Sequence, residues 1–468
     1  MQKIYQNIKN NIILYSFTTI GIIFYFIFLL YSQDNDMFFE IMSGRDLLSG
    51  NFKTASHLNN FPIIVQQWLY AVCLAIFDKL GYFGHILIVL IQNIVLYIVS
   101  SIFIKRRTHN TKLAYFGSFF ALLYCHNYMI NIRPQIITMI LLVVELILLD
   151  LYKESNKNKY LFYIIPILIL SANFHQAVFL YHILIIVPYC IDFKNKEVDW
   201  KLFCFCIIFW MCSLFTPYTI DGFLYIFRTF TSKTYKLFTI SELTSIQVTS
   251  IIGIKLLLIV LLDIWYIYKH KSNSYINIYV FLVTILSLVN LRHSSILYIA
   301  VLFLICNIDT NKLANKYVYG IISVLLFSCM LEFTTIRNIY TDYGNVANII
   351  EDKNATIYNS AMDLGGYLEY NGYTKVKVDS RCEAFSYENS GVKNINTDMF
   401  SVIYGYKIDK NFNYSILDDN KILSIVKNYD YLIVGKLDYI NTISSLNKQW
   451  KNIYNDDNYI IYQNINNQ

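Results

Sequence analysis

A helical bundle threaded many times through a membrane, with a small α/β domain at its C-terminal end, is the fold this sequence predicts. Three observations predict it. Of 468 residues, 56% are hydrophobic and 15% charged, and the mean hydropathy is +0.42, far too apolar for a water-soluble chain of this length. Apolar stretches long enough to cross a bilayer recur along residues 1–335. Near residue 336 that pattern gives way to short β-rich runs set in polar sequence.

The apolar stretches are residues 11–31, 81–104, 113–130, 134–152, 160–174, 176–191, 202–217, 251–268, 276–291, 293–307 and 317–335, about 11 spans in all. Lys3 and Lys9 precede the first. That span is longer than the apolar core of a signal peptide and lacks a small-residue cleavage site, so it is expected to stay as a helix. Positive charge collects in the connections Lys105-Arg106-Arg107, 153–159, 194–201, Lys269-His270-Lys271 and 312–316. Residues 336–468 hold 13 Lys+Arg against 16 Asp+Glu, or −3, which leaves +9 of the total +6 for the remainder. This is loop charge of the cytoplasmic kind and not a nucleic-acid surface. With all five connections cytoplasmic, the N-terminus lies inside and the C-terminal domain outside the cell membrane. Residues 62–80 are also apolar, but Gln66-Gln67 interrupts them. Counting them as a span would put Lys105-Arg106-Arg107 outside, so they are expected to lie on the outer surface or to re-enter it.

Two domains follow: residues 1–335, a transmembrane domain with an outer loop at 32–80, and residues 336–468, a soluble α/β domain on the outer face. In the second, strands are expected at 355–360, 376–380 and 429–435, with a hairpin over 450–463 turning at Asn455-Asp456-Asp457-Asn458. Eight of the nine cysteines sit in hydrophobic runs and only Cys382 in polar sequence, so neither a disulfide framework nor a CxxC metal site is expected.

The acidic cluster Asp34-Asn35-Asp36-Met37-Phe38-Phe39-Glu40 follows the first span directly. Its carboxylates are thus offered to water where the chain leaves the lipid, at the depth of a lipid phosphate. Inverting transfer of a sugar from such a phosphate needs a base for the acceptor's proton, and cations or donors for the leaving phosphate. Asp34, Asp36 and Glu40 supply carboxylates, while Arg133, Asn173, His175, Arg292 and His293 fall at the outer ends of spans. Each also has a bland reading. Carboxylates at a helix exit are commonly just solvated, as Glu242 in the outer loop 218–250 is expected to be. Arg133 before Pro134 can snorkel. Asn173 and His175 can hydrogen-bond between helices, and Arg292-His293 can cap a short turn. Their joint location separates the readings, because snorkelling would scatter such groups to both faces.

These residues resemble the polytopic GT-C glycosyltransferases, in particular a bacterial branch related to the protein mannosyltransferases. Asp34-Asn35-Asp36-Met37-Phe38-Phe39-Glu40 followed by Ser43-Gly44-Arg45 is similar to that branch's Asp-x-Asp-x-aromatic-aromatic-His and Thr-Gly pattern. Gln66-Gln67-Trp68-Leu69 stands where the branch has His-Glu-Trp-Leu. Arg133-Pro134-Gln135, Asn173-Phe174-His175, Thr216-Pro217-Tyr218 and Leu291-Arg292-His293 follow in family order, then Gly365-Gly366-Tyr367-Leu368 and Asp379-Ser380-Arg381. The resemblance implies a GT-C-like scaffold in the bacterial plasma membrane and a polyprenyl-phosphate sugar as donor. It implies Asp36 or Asp34 as base, with Glu40 beside them. Arg133, Arg292 and His293 would hold the donor phosphate, and Gln135, Asn173 and His175 would contact substrate. The acceptor, whether glycan, lipid or protein, and any divalent metal are left open. Two departures stand out: Glu40 replaces a His, and Gln66-Gln67 replaces His-Glu. They keep alive a catalytically inactive scaffold of the same fold. A transporter or flippase would instead carry charged groups near helix centres.

Overall fold

The computed structural model describes residues 36–52, 61–125, 132–192, 197–232, 251–270, 291–307, 345–392, 395–408, 414–443 and 448–467, with a few single positions besides. The chain divides into two compact units. One takes in Met1–Ser32, Leu80–Phe215 and Ile240–Arg337; the other takes in Gln33–Lys79, Thr216–Thr239 and Asn338–Gln468.

The first unit is helical. Among the described residues, two unbroken helices are long and apolar enough to cross a bilayer, Tyr82–Thr108 and Gln135–Ser155. One stripe of Tyr82–Thr108, including Ile88, Leu96, Phe103 and Ile104, is buried, and the helix packs against Thr111–Tyr124 and Gln135–Ser155. Its other side leaves Ile91, Ile94, Ile98 and Ile102 about half exposed, which suits lipid and not water. The left-handed backbone of His109 ends this helix, and Asn110 starts the next by accepting from Leu113 N at 3.1 Å. Shorter helices Lys159–Phe174, Leu180–Cys190, Trp200–Met211, Ile251–His270 and Leu297–Cys306 occupy further expected spans. The span expected at 317–335 falls outside the described residues, as do most of the residues of those expected at 11–31 and 276–291.

The two ends of this unit differ chemically. At one, Arg107 grips Asp150 bidentately, Nε to Oδ2 at 2.8 Å and Nη2 to Oδ1 at 2.6 Å, and Tyr189 O–H donates to the same carboxylate at 2.9 Å. Arg106 pairs with Glu154, and Lys153 Nζ reaches Asp199 Oδ2 at 2.8 Å. Three of the basic connections therefore share one end. The helix Gln135–Ser155, 21 residues long, rises about 30 Å from there to the opposite end.

The second unit is α/β. Its four-stranded sheet runs Ile357–Asn359, Tyr431–Gly435, Tyr459–Asn464, Trp450–Asn455, the first pair parallel and the others antiparallel. The last two strands are the expected hairpin. Asp456 Oδ1 closes it by accepting from Asn458 N and Tyr459 N, both at 2.7 Å. Residues 376–380 form no strand; Val376 makes a single bridge to Ile357. Tyr358, Met399, Leu432, Val434 and Trp450 pack in the core.

Residues 62–79 belong to this unit too. Pro62–Ile63 pairs with Thr54–Ala55, and Trp68–Asp78 is a helix of 11 residues, about 17 Å long and too short to span. It lies against the helix Asp36–Leu48 at Gly44, where a β-carbon would stand 2.1 Å from the Ala71 carbonyl oxygen. Gly365, on the helix Met362–Tyr370, is as tight: its β-carbon would stand 1.9 Å from the Val378 oxygen. Gly365→Ala should therefore cost about 1–3 kcal/mol or more of stability, read as a fall in the thermal midpoint of the solubilised protein. An unchanged midpoint would contradict this seating.

Candidate functional site

The helix Asp36–Leu48 organises the second unit's polar groups. Asp36 occupies its first turn and is partly exposed, whereas Glu40, one turn on, is 2% exposed. Gln67 Nε2 donates to Glu40 Oε1 at 2.8 Å. The two departures from the family pattern thus meet in one hydrogen bond. Further along, Arg45 Nη2 reaches Asp78 Oδ2 at 2.6 Å, and Tyr370 O–H donates to Asp78 Oδ1 at 3.0 Å. Gly366 lets Phe39 approach, since a β-carbon there would stand 3.0 Å from Phe39 N. Tyr367 meets Phe38 edge to face at 4.8 Å.

Arg381 ties this helix to the 379–383 segment. Its guanidinium makes a bidentate pair with Asp379, donates to Ser43 Oγ at 3.2 Å, and lies 4.9 Å over the Phe39 ring. Burial alone would lower its pKa, but Asp379 more than offsets that and raises it, so the cation is firmly held. Asp36 faces the same segment: the Cys382 thiol is pushed up first by burial, then by Glu383, Asp379 and Asp36. Burial, reinforced by Asp379 and opposed by Arg381, pushes the neighbouring Glu369 up to about 8. Glu369, Ser43 and Gln67 were not singled out as site residues. The glycine and Asp-x-Arg motifs flank the first, and only packing brings the other two to Arg381 and Glu40.

The remaining predicted residues lie in the helical unit. His175 Nδ1 is 3.1 Å from Thr138 Oγ1, so it sits over the first turn of Gln135–Ser155, two residues beyond Arg133. Asn173 Nδ2 donates to the Phe215 carbonyl at 2.8 Å. The Gln135 side-chain oxygen is buried without a hydrogen-bond partner among the described residues. His293 Nδ1 bonds the Tyr181 hydroxyl, in the first turn of Leu180–Cys190. Arg133, Gln135, Asn173, His175 and His293 therefore gather at the end opposite the basic connections. Asp34 and the Arg292 side chain lie outside the described residues. One polar chain was unforeseen: Ser171 Oγ, His182 Nε2 at 2.6 Å, then His182 Nδ1 to Glu145 Oε2 at 2.5 Å, all buried. A lone Glu inside an apolar helix was its signal. Among the described residues no three His, Cys, Asp or Glu side chains gather as a metal site needs.

A helical unit with two chemically distinct ends, joined in one chain to an α/β unit, is the architecture of the GT-C glycosyltransferases, and this chain has that fold. ArnT from Cupriavidus metallidurans, a GT-C glycosyltransferase, matches it with a TM-score of 0.58 and 10% sequence identity. The match covers 97% of this chain and 98% of the ArnT chain, both in the crystal structure bound to undecaprenyl phosphate and in the apo state. No family model matches the sequence. No curated protein matches it either.

Glu369 supplies a pH test of the site. Its folded pKa of about 8 lies above the value near 4.3 of an unfolded glutamate. The folded protein therefore holds a proton that the unfolded chain has released, and stability falls as pH rises between about 4.3 and 8. Glu369→Gln should flatten this dependence and raise the thermal midpoint at pH 8 relative to wild type. A lower midpoint for the variant at pH 8 would show instead a charged Glu369 that stabilises Arg381.

Proposed function

We propose that this chain is a multi-pass glycosyltransferase of the bacterial plasma membrane, moving a sugar from a polyprenyl-phosphate donor to an acceptor at the outer face. The observation that carries the reading is the Asp36 carboxylate, partly exposed on the first turn of a helix held by Gln67, Asp78 and Arg381. A general base must be fixed in place and still reach its substrate, and this position meets both demands. The likeness to ArnT, which binds undecaprenyl phosphate, supports the donor class.

In this reading the acceptor hydroxyl attacks the anomeric carbon of the donor sugar. The new carbon–oxygen bond forms as the bond to phosphate oxygen breaks, and its electron pair leaves with the polyprenyl phosphate. The acceptor's proton passes to Asp36. Arg133, with Arg292 and His293, stabilises the phosphate as its charge develops, while Gln135, Asn173 and His175 hold substrate hydroxyls. Glu40, buried and bonded by Gln67, keeps the first turn of its helix in register. The shared end of the basic connections supports a cytoplasmic assignment for that end, with the Arg133 end and residues 336–468 outside.

Asp36→Asn should lower polyprenyl-phosphate release by about 10²–10⁴-fold, the usual worth of a positioned base, while binding of the lipid-linked sugar persists. Turnover by purified protein in lipid checks this, and full activity in the variant would remove the mechanism.

A further inference from the structure

The second unit contains a cavity of about 370 Å³ between Phe52, residues 62–64, the helix Thr219–Thr231 and residues 384–389. We propose that it binds an acceptor sugar bearing one anionic group, a phosphate or a carboxylate, with Arg228 at the anion and Asp221 and Asn389 at the hydroxyls. The assignment as acceptor rests on the transferase reading; the binding chemistry is argued from the cavity itself.

Asp221 and Arg228 both line the cavity. Seven residues apart, they lie on one face of the helix about 10 Å along its axis. Among the described residues neither side chain has a hydrogen-bond or ion-pair partner. Solvated surface charges would explain those two alone, but not Asn389. Its Nδ2 donates to Thr229 Oγ1 at 3.0 Å and to the Glu383 carbonyl at 2.9 Å, which fixes the amide's orientation. Oδ1 is then left buried with no partner among the described residues. A buried acceptor left bare is costly, and a donor hydroxyl relieves the cost.

The other walls offer Phe52, Tyr218 and Tyr225. Aromatic faces for the C–H side of a pyranose, a carboxylate and an amide oxygen for its hydroxyls, and a guanidinium for an anion form a set that suits a charged sugar. The volume falls within the usual range for small-molecule sites, about 300–1,000 Å³, room for one or two sugar units. Tyr218 and Tyr225 are also within electrostatic reach of Arg381. The cavity thus adjoins the cation that secures the Asp36 helix, where an acceptor hydroxyl would have to be delivered.

The test is a titration of the full chain in lipid nanodiscs with glucose, glucuronic acid, glucose 6-phosphate and inorganic phosphate. Both anionic sugars should bind more tightly than glucose and more tightly than inorganic phosphate. Arg228→Gln should weaken both by about tenfold or more, the order expected for one charge-assisted hydrogen bond, and Asp221→Asn should weaken all three sugars. The comparison of glucuronic acid with glucose 6-phosphate then separates carboxylate from phosphate. Absence of sugar binding, affinity unchanged by Arg228→Gln, or inorganic phosphate binding as tightly as glucose 6-phosphate would each overturn the proposal. Binding of a polyprenyl-phosphate sugar to wild type, measured in parallel, keeps the two readings apart. Its loss would sink the transferase, whereas its presence without sugar binding would sink only the cavity assignment.

Discussion

Much of the second unit depends on burying one charge. The Arg381 guanidinium is 12% exposed at its side chain and is answered by Asp379, Ser43 and Phe39. Removing Asp379 would leave an unpaired cation in a poorly solvated place, which commonly costs several kcal/mol. That demand reaches back through 338 residues of chain to Ser43 and fixes which face of the Asp36–Leu48 helix turns inward. The glycines at 365 and 366 serve the same end, because the backbones at Val378–Asp379 and Phe39 approach too closely for side chains between them. A neutral Glu369 follows from the same arrangement. With Asp379 already committed to Arg381, a second buried carboxylate beside it is better left protonated.

The helical unit is held differently. Its buried surface is largely apolar, so its ends carry the specificity. At one end Arg107, Asp150 and Tyr189 close a network that joins three helices. At the other, Asn173, His175 and His293 hold backbone and hydroxyl groups. Pairing lysines and arginines with acids where the chain turns around ties those helix ends together.

How far this was legible in sequence depends on the range of the interaction. Apolar periodicity is local, so helices such as Tyr82–Thr108 and Gln135–Ser155 and the hairpin around Asp456 stand where the pattern puts them. Residues 376–380 are β-prone yet make only one bridge, because Val378 instead packs under Gly365 and its carbonyl accepts from Asn359. A composition shift near residue 336 was visible; that residues 33–79 and 216–239 join residues 338–468 in one compact unit was not, since no local signal records a contact across 300 residues. For the site, residue types at the Arg133 and Asn173 motifs announced polar chemistry, while the roles of Ser43, Gln67 and Glu369 exist only once the chain is folded.

The Glu40–Gln67 bond gives the two departures from the family pattern a single physical meaning. In the resembled pattern a His stands at position 40 and a Glu at position 67; here Glu40 brings the carboxylate and Gln67 the N–H donor. What changes is which segment owns the charge. With the carboxylate at position 40, it lies one turn from Asp36 on the same helix. A buried acceptor without a donor is costly, so the match across two segments 27 residues apart holds the start of this helix in place.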